Sequence, residues 1–184
     1  MYKLCKTEQS AARQRQLEQG LLAAMQNQQY EEISISDLCD QLGVPRKSFY
    51  RYFSGKEGAL AALIDHTLME FELFVPAKGK TKSSAAIGDL ERFFMFWYDR
   101  KDLLDALQRS GLSGILVERS ISHAIREYMM PKHLRSQLAL TFAVSGLLSV
   151  VIQWHHNGYQ QTVREMADVA TIMLTRPLIS EGTK

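Results

Sequence analysis

Apolar residues recur every three or four positions along almost the whole chain, while the alternation of a half-buried strand is hard to find, so the pattern predicts an all-α protein. A first helix is expected from about Gln9 to Gln28, with Leu17, Leu21, Ala24 and Met25 on one face and Arg13, Arg15 and Glu18 off it. Ser34 precedes "ISDLCDQL" as an N-cap, and Asp37, three residues on, brings a carboxylate to the free amides and positive dipole end of a first turn. Gly43 supplies the backbone freedom a tight turn needs. Pro45 opens a third helix, where its missing N–H costs nothing and its φ is already set, and that helix ends near Phe53. Ser54 and Glu57 have the spacing of a capping box and start a fourth helix whose apolar stripe is Leu60, Leu63, Ile64, Thr67, Leu68, Phe71 and Phe74.

Beyond it, "VPAKGKTKSS" from Val75 to Ser84 combines proline, glycine and lysines and reads as an exposed, solubilising loop. Ala85 to Arg100 is apolar nearly all round, with Ile87, Leu90, Phe93, Phe94, Phe96 and Trp97, as a central buried helix requires. Shorter helices are expected at Leu103 to Arg109 and Ser113 to Tyr128, separated at Gly111. After Pro131 a helix reaches about His156 and ends at Gly158. A last helix from Val163 to about Thr175 carries Met166, Val169, Ala170 and Met173, and Pro177 stops it. The sum is about nine helices: an N-terminal three-helix domain at residues 1–55 and a C-terminal helical domain at 56–184.

The uncharged run Leu138 to Ile152 is short of the roughly 20 residues a bilayer requires, and Thr141, Ser145, Gly146 and Ser149 punctuate it. A helix buried against protein on most sides is expected there, not a membrane span. With 184 residues, 46% hydrophobic and 23% charged, the chain can build a real core and is not a disordered sequence. A formal net charge of +2 does not announce a nucleic-acid binder, so the placement of charge has to decide. Cys5 and Cys39 are too few for a disulfide framework or zinc cluster and suit a reducing compartment. The first residues carry no apolar secretory core, and a cytoplasmic protein is expected.

Placement does decide. In "GVPRKSFYRYF", Arg46, Lys47 and Arg51 sit among four aromatic residues with no acid in the stretch. Two helices on a glycine turn, the second bearing clustered cations, form the pattern of a helix-turn-helix, whose second helix puts its N-terminal residues into the DNA major groove. Arg46 can grip guanine O6 and N7, Lys47 can reach guanine or phosphate, and Ser48 suits either. Phe49 and Phe53 share a face and brace the helix from inside. Tyr50 and Tyr52 are expected to keep hydroxyls at the rim for phosphate oxygens, beside Arg51. Lys56, at the start of the fourth helix, is expected to bring its charge and the free amides there to a phosphate, and Ser34 completes the DNA-contacting set.

Through "SISDLCDQLGV", "RKSFYRYF" and "GKEGAL", the stretch from Leu17 to Leu60 resembles the TetR/AcrR family of bacterial transcription regulators. A weaker echo, "WHHNGYQQTVREMADVA" from Trp154 to Ala170, looks like that family's end of the eighth helix and start of the ninth. The resemblance implies a homodimer on a double-stranded operator of inverted half-sites. It also implies a C-terminal region that pairs subunits through the last two long helices and encloses a small-molecule effector, whose binding moves the fourth helix and the DNA-binding heads. Three positions depart from the family pattern. Pro45 replaces a serine or threonine, Ala59 replaces a leucine, and Gln29 stands where glycine commonly ends the first helix, at up to about 1 kcal/mol if a left-handed conformation persists. The C-terminal half diverges too far for ligand residues to be carried over.

In that half, Thr141, Ser145 and Ser149 repeat every four residues beside Ala139, Ala143 and Gly146, which lets another helix approach closely. Ala139, Ala143, Gly146 and Val150, with Met166, Ala170 and Met173, are therefore dimer-interface candidates, an intramolecular core being the alternative. Phe94 and Trp97, on one face of "RFFMFWY", and His66, beside the stripe of the fourth helix, are effector-pocket candidates with a plain core reading beside it. His155 and His156 at a helix C-terminus read as dipole partners more than metal ligands. No nucleophile elbow, phosphate-binding glycine loop, paired-carboxylate signature or metal spacing is present, so no catalytic residue, metal or cofactor is expected. The expected function is sequence-specific regulation of transcription, as a repressor answering to a small molecule. The alternative keeps the DNA-binding head but gives the C-terminal domain a protein partner, as in a coactivator.

Overall fold

The computed structural model describes residues 1–3, 5, 7–74, 83–127 and 134–175. Nine α-helices are described: α1 (Glu8–Met25), α2 (Ile35–Gln41), α3 (Arg46–Tyr52), α4 (Lys56–Phe74), α5 (Ser83–Tyr98), α6 (Lys101–Arg109), α7 (Ser113–Glu127), α8 (Leu134–His156) and α9 (Val163–Thr175). A single 3-10 turn, Tyr30–Glu32, joins α1 to α2. Of the lysine loop expected from Val75 to Ser84, residues 75–82 lie outside the described residues, as do the breaks at Pro131 and Pro177, while Ser83 and Ser84 belong to α5 and not to a loop. Two compact units emerge, one of Met1–Leu68 with Asp102–Ser120, the other of Met69–Lys101 with Ile121–Lys184.

The first unit is built on α1, which buries Leu17, Leu21, Ala24 and Met25 as its apolar periodicity requires. Gln14 and Glu18 share that buried face, and Glu18, expected off it, is fully buried. The reason is a specific partner: His66 Nδ1 of α4 lies 2.8 Å from Glu18 Oε2, and a buried carboxylate persists only when so paired. Gln29, with φ −66° and ψ 144°, is extended, so the left-handed penalty weighed for it is not incurred. α6 fastens onto the end of α1, where Arg109 Nη2 donates to the Met25 carbonyl at 2.7 Å and Gln26 Nε2 donates to the Asp102 carbonyl at 2.6 Å. A cation there meets the free carbonyls and negative dipole end of α1. Arg119 of α7 forks onto both oxygens of Asp65 on α4, and Tyr2 donates its hydroxyl to the same carboxylate at 2.7 Å. That bond to Asp65 raises the Arg119 pKa against the opposing effect of burial.

Ser54 departs from its expected role. Its hydroxyl donates to the Met1 carbonyl and accepts from the Met1 amine, both at 2.9 Å, so the box with Glu57 does not form. A capping box is found instead at the start of α9. There the Thr162 amide donates to Glu165 Oε2 at 2.7 Å, and the Glu165 amide donates back to Thr162 Oγ1 at 3.2 Å.

In the second unit α5 packs on α9 and α8. Edge-to-face rings run from Phe71 through Phe93 and Phe94 to Trp154 and Tyr159, at centroid separations of 4.8 to 5.8 Å. Tyr159 holds φ +57°, uncommon for a side chain of its size, between Trp154 and Tyr98 and within 2.8 Å of His155 Nδ1.

α8 contains a stretch of length and mean hydropathy sufficient to cross a membrane, and only 17% of that stretch is buried in the chain. It is thus not covered on most sides as expected: Leu138 and Phe142 are 59% and 64% exposed. Ala139 and Gly146 are exposed too, with Ala143 and Val150 half-buried. On α9 the expected interface stripe divides. Met166 and Ala170 are buried within the chain, because they lie on the side of α9 that packs inward, whereas Val169, Ile172 and Met173 are exposed.

Candidate nucleic-acid interface

The geometry of α2 and α3 follows from local chemistry. Ser34 Oγ accepts from the Asp37 amide at 3.1 Å and caps α2. Gly43 takes φ +61°, in the region that glycine enters without a Cβ clash, and turns the chain. Pro45 is the N-cap of α3, with φ −58° and ψ 137° and no side-chain capping bond. Its carbonyl accepts from the Ser48 amide at 2.7 Å, so the helix starts one residue later than the proline. Below, Phe49 and Phe53 are fully buried with ring centroids 5.1 Å apart, anchoring the helix from within.

Above, Arg46, Lys47 and Arg51 are exposed, and none makes a hydrogen bond or ion pair with a described residue. Tyr50 is 48% exposed, whereas Tyr52 is 6% exposed. Tyr52 follows Phe49 by three residues and so turns inward, and its hydroxyl accepts from Ser10 Oγ of α1 at 3.4 Å. The ring expected at the rim is a core ring.

Two open clefts flank α3. One, toward α2 and α4, brings Ser34, Arg46, Tyr50 and Lys56 together with Ile33, Ile35, Ser36, Ser54, Gly55 and Glu57. The other, toward α1, is lined by Ser48, Arg51 and Tyr52 with Thr7, Gln9, Ser10, Ala12, Arg13 and Gln16. Lys47 lines neither. The α1 residues lie outside the set expected from the sequence, and the signal that could have found them is the polar, exposed outer face of α1 at Arg13 and Gln16.

Lys56 differs from expectation. Its ammonium donates to the carbonyls of Tyr30, Glu31 at 3.0 Å and Ile33 at 2.9 Å, and lies 4.5 Å from the Tyr30 ring centroid. Three oxygens and a ring face take up the charge that was assigned to a phosphate. The Tyr30 phenol is pushed up by burial and then by Glu57 and Glu31, so it stays neutral. Cys39 is buried and its thiol is also raised, chiefly by burial, which makes it inert packing beneath the motif.

The effector-pocket candidates divide between the two units. His66 belongs to the first unit, paired with Glu18, while Phe94 and Trp97 are fully buried in the second. Trp97 Nε1 is buried and has no hydrogen-bond partner among the described residues. Among the described residues no group of three His, Cys, Asp or Glu side chains is placed to hold a metal ion.

A short basic helix, set on a glycine turn, braced by phenylalanines and flanked by polar clefts, defines a helix-turn-helix DNA-binding regulator. Residues 21–63 match the family described as bacterial regulatory proteins, tetR family. No curated protein matches the chain. Solved structures share its fold. A tetR-family transcriptional regulator from Streptomyces coelicolor is 18% identical, with 89% of this chain and 79% of that one covered at a TM-score of 0.60. The fatty acid degradation regulator FadR from Bacillus halodurans is 15% identical over 95% of this chain and 98% of that one, with a TM-score of 0.57. The TetR family repressor AlkX from Dietzia sp., implicated in biodegradation of n-alkanes, is 12% identical over 88% and 92%, with a TM-score of 0.51. The match to the tetR family lies in residues 21–63, which hold the helix-turn-helix and support a DNA-binding transcriptional regulator, and over its length the chain shares the fold of TetR-family regulators.

Proposed function

We propose that the chain is a dimeric repressor that grips an inverted-repeat operator through residues 1–55 and releases it when a small molecule occupies the region 56–184. The observation that carries this is α3, whose outer face holds Arg46, Lys47 and Arg51 without a hydrogen-bonding or ion-pair partner among the described residues while its inner face is locked by Phe49 and Phe53. Unpaired cations on so short a helix contribute little to stability and suit a polyanion. Base discrimination falls to Arg46, with Lys47 and Ser48 beside it.

A second copy of the chain accounts for the exposed apolar faces of α8 and α9, where Leu138, Phe142, Val169, Ile172 and Met173 stand uncovered in one protomer. Four such helices form a bundle, and the small residues Ala139, Ala143 and Gly146 let two of them approach closely. Two half-sites about 34 to 36 Å apart then meet both recognition helices.

The effector is apolar or amphipathic. The aromatic surface of α5 supports this, with the orphaned Trp97 Nε1 as a donor inside it. So do two similar structures, one named for fatty acid degradation and one implicated in n-alkane biodegradation. The place of action is the cytoplasm, with the DNA. Selection of duplexes from a random pool tests this reading. An inverted repeat with half-sites one helical turn apart, bound by a species of twice the chain mass in sedimentation, is the expected result. A pool that yields no preferred sequence, bound by a monomer, refutes it.

A further inference from the structure

The cleft between α1 and α3 stands apart from the one on the α2 and α4 side. Arg13 and Arg51 stand in its walls, with the amides of Gln9 and Gln16 and the hydroxyls of Ser10 and Ser48 around them. No carboxylate is among its lining residues. Arg13 is exposed on α1, and its Nη1 donates to Gln16 Oε1 at 2.8 Å. That neutral partner orients the guanidinium without cancelling its charge. Arg51 is exposed and makes no hydrogen bond or ion pair with a described residue. Beneath them, the bond from Ser10 to Tyr52 ties α1 to α3, so both walls are fixed to the recognition helix.

An α-helix with its side chains is about 10 to 12 Å across, and the major groove of B-DNA is about 12 Å wide. A helix seated there therefore has a sugar-phosphate backbone along each flank. The α2 and α4 side of α3 meets one strand, and the α1 side must meet the other. We propose that the α1–α3 cleft is the seat for that second strand, with Arg13, outside the helix-turn-helix itself, contacting a backbone phosphate together with Arg51. The proposal rests on the DNA-binding reading of α3. Contacts to both strands fix the tilt of α3 in the groove, which one-sided anchoring leaves free.

The test is the salt dependence of binding to the duplex selected by the wild-type protein, for wild type, Arg13→Gln and Arg13→Lys, from about 50 to 300 mM salt. Loss of one phosphate contact lowers the slope of log K against log salt by about 0.9. Near 0.1 M salt the same term makes Arg13→Gln weaker by roughly five- to tenfold, on selected and scrambled duplexes alike. Arg13→Lys keeps the charge and restores the slope. A slope unchanged in Arg13→Gln, or a loss confined to the selected sequence, overturns the proposal. Wild-type protein that binds no duplex would sink the regulator reading itself, whereas normal wild-type binding with a silent Arg13→Gln sinks only the second seat.

Discussion

The ammonium of Lys56 at the start of α4 lies 2.9 Å from the main-chain carbonyl of Ile33, the residue just before the cap of α2. With the Tyr30 and Glu31 carbonyls it pins the α1–α2 connection to α4, and so helps to set where α2 holds α3. Lys56→Gln should therefore lower unfolding stability by about 1.5 to 3 kcal/mol, the range for hydrogen bonds to a charged group. The salt slope of DNA binding should stay within about 0.3 of wild type. A full-unit drop in slope with no loss in urea midpoint would return Lys56 to the phosphate contacts.

Arg46 is exposed at the first position of α3 with no hydrogen-bonding partner in the described chain. Arg46→Ala is expected to weaken the selected duplex by about 1 to 3 kcal/mol and scrambled duplexes much less, read by competition titration. Equal losses on both would make it a phosphate contact only.

Gly43 turns α2 into α3 at φ +61°, and nothing lies within 4 Å of a Cβ placed there. The cost of Gly43→Ala is thus conformational and not steric, about 1 to 2 kcal/mol in denaturant unfolding. Gly43→Asn should cost less, since asparagine tolerates the left-handed region better.

Phe142 is 64% exposed in a single chain. If a second copy covers it, Phe142→Arg should raise the dimer dissociation constant by at least about tenfold and weaken operator binding with it, both measurable by sedimentation and titration. A dimer untouched by the charge would move the interface elsewhere.

The Glu165 carboxyl is held below its ordinary value near 4.5 by the bond from the Thr162 amide and then by that from its hydroxyl. A depressed folded-state pKa means that the stability this cap contributes is present above the ordinary value and lost as pH falls through the lowered one. Melting curves of wild type and Glu165→Gln should differ at pH 7, with wild type the more stable, and converge as pH falls below the ordinary carboxylate range. Curves displaced equally at both ends would show that the ionised cap is not responsible.

Much of the head was legible because its signals are local. The Ser34 cap, the Gly43 turn and the Phe49–Phe53 brace each depend on residues within a few positions of one another. The errors came where a distant group intervened. Ser54 lost its expected box to the main chain of Met1, and Lys56 turned to carbonyls 23 to 26 residues back. Glu18 reads as a surface residue until His66, 48 positions away, is seen beside it. Thr162–Glu165 carries the same box spacing as Ser54–Glu57, and there nothing distant competes for the hydroxyl. For the C-terminal half, periodicity marks which residues alternate but not which of two sides faces inward, so the α9 stripe was read as one surface.

The division of α9 has an evolutionary corollary. Met166 and Ala170 answer to the fold of their own protomer, whereas Val169, Ile172 and Met173 are released from it. Outward positions can drift without unsettling the inner seam. If the proposed dimer pairs through that outer edge, a few mismatched bulks or charges there would keep unlike subunits of similar regulators from mixing while every head stays intact.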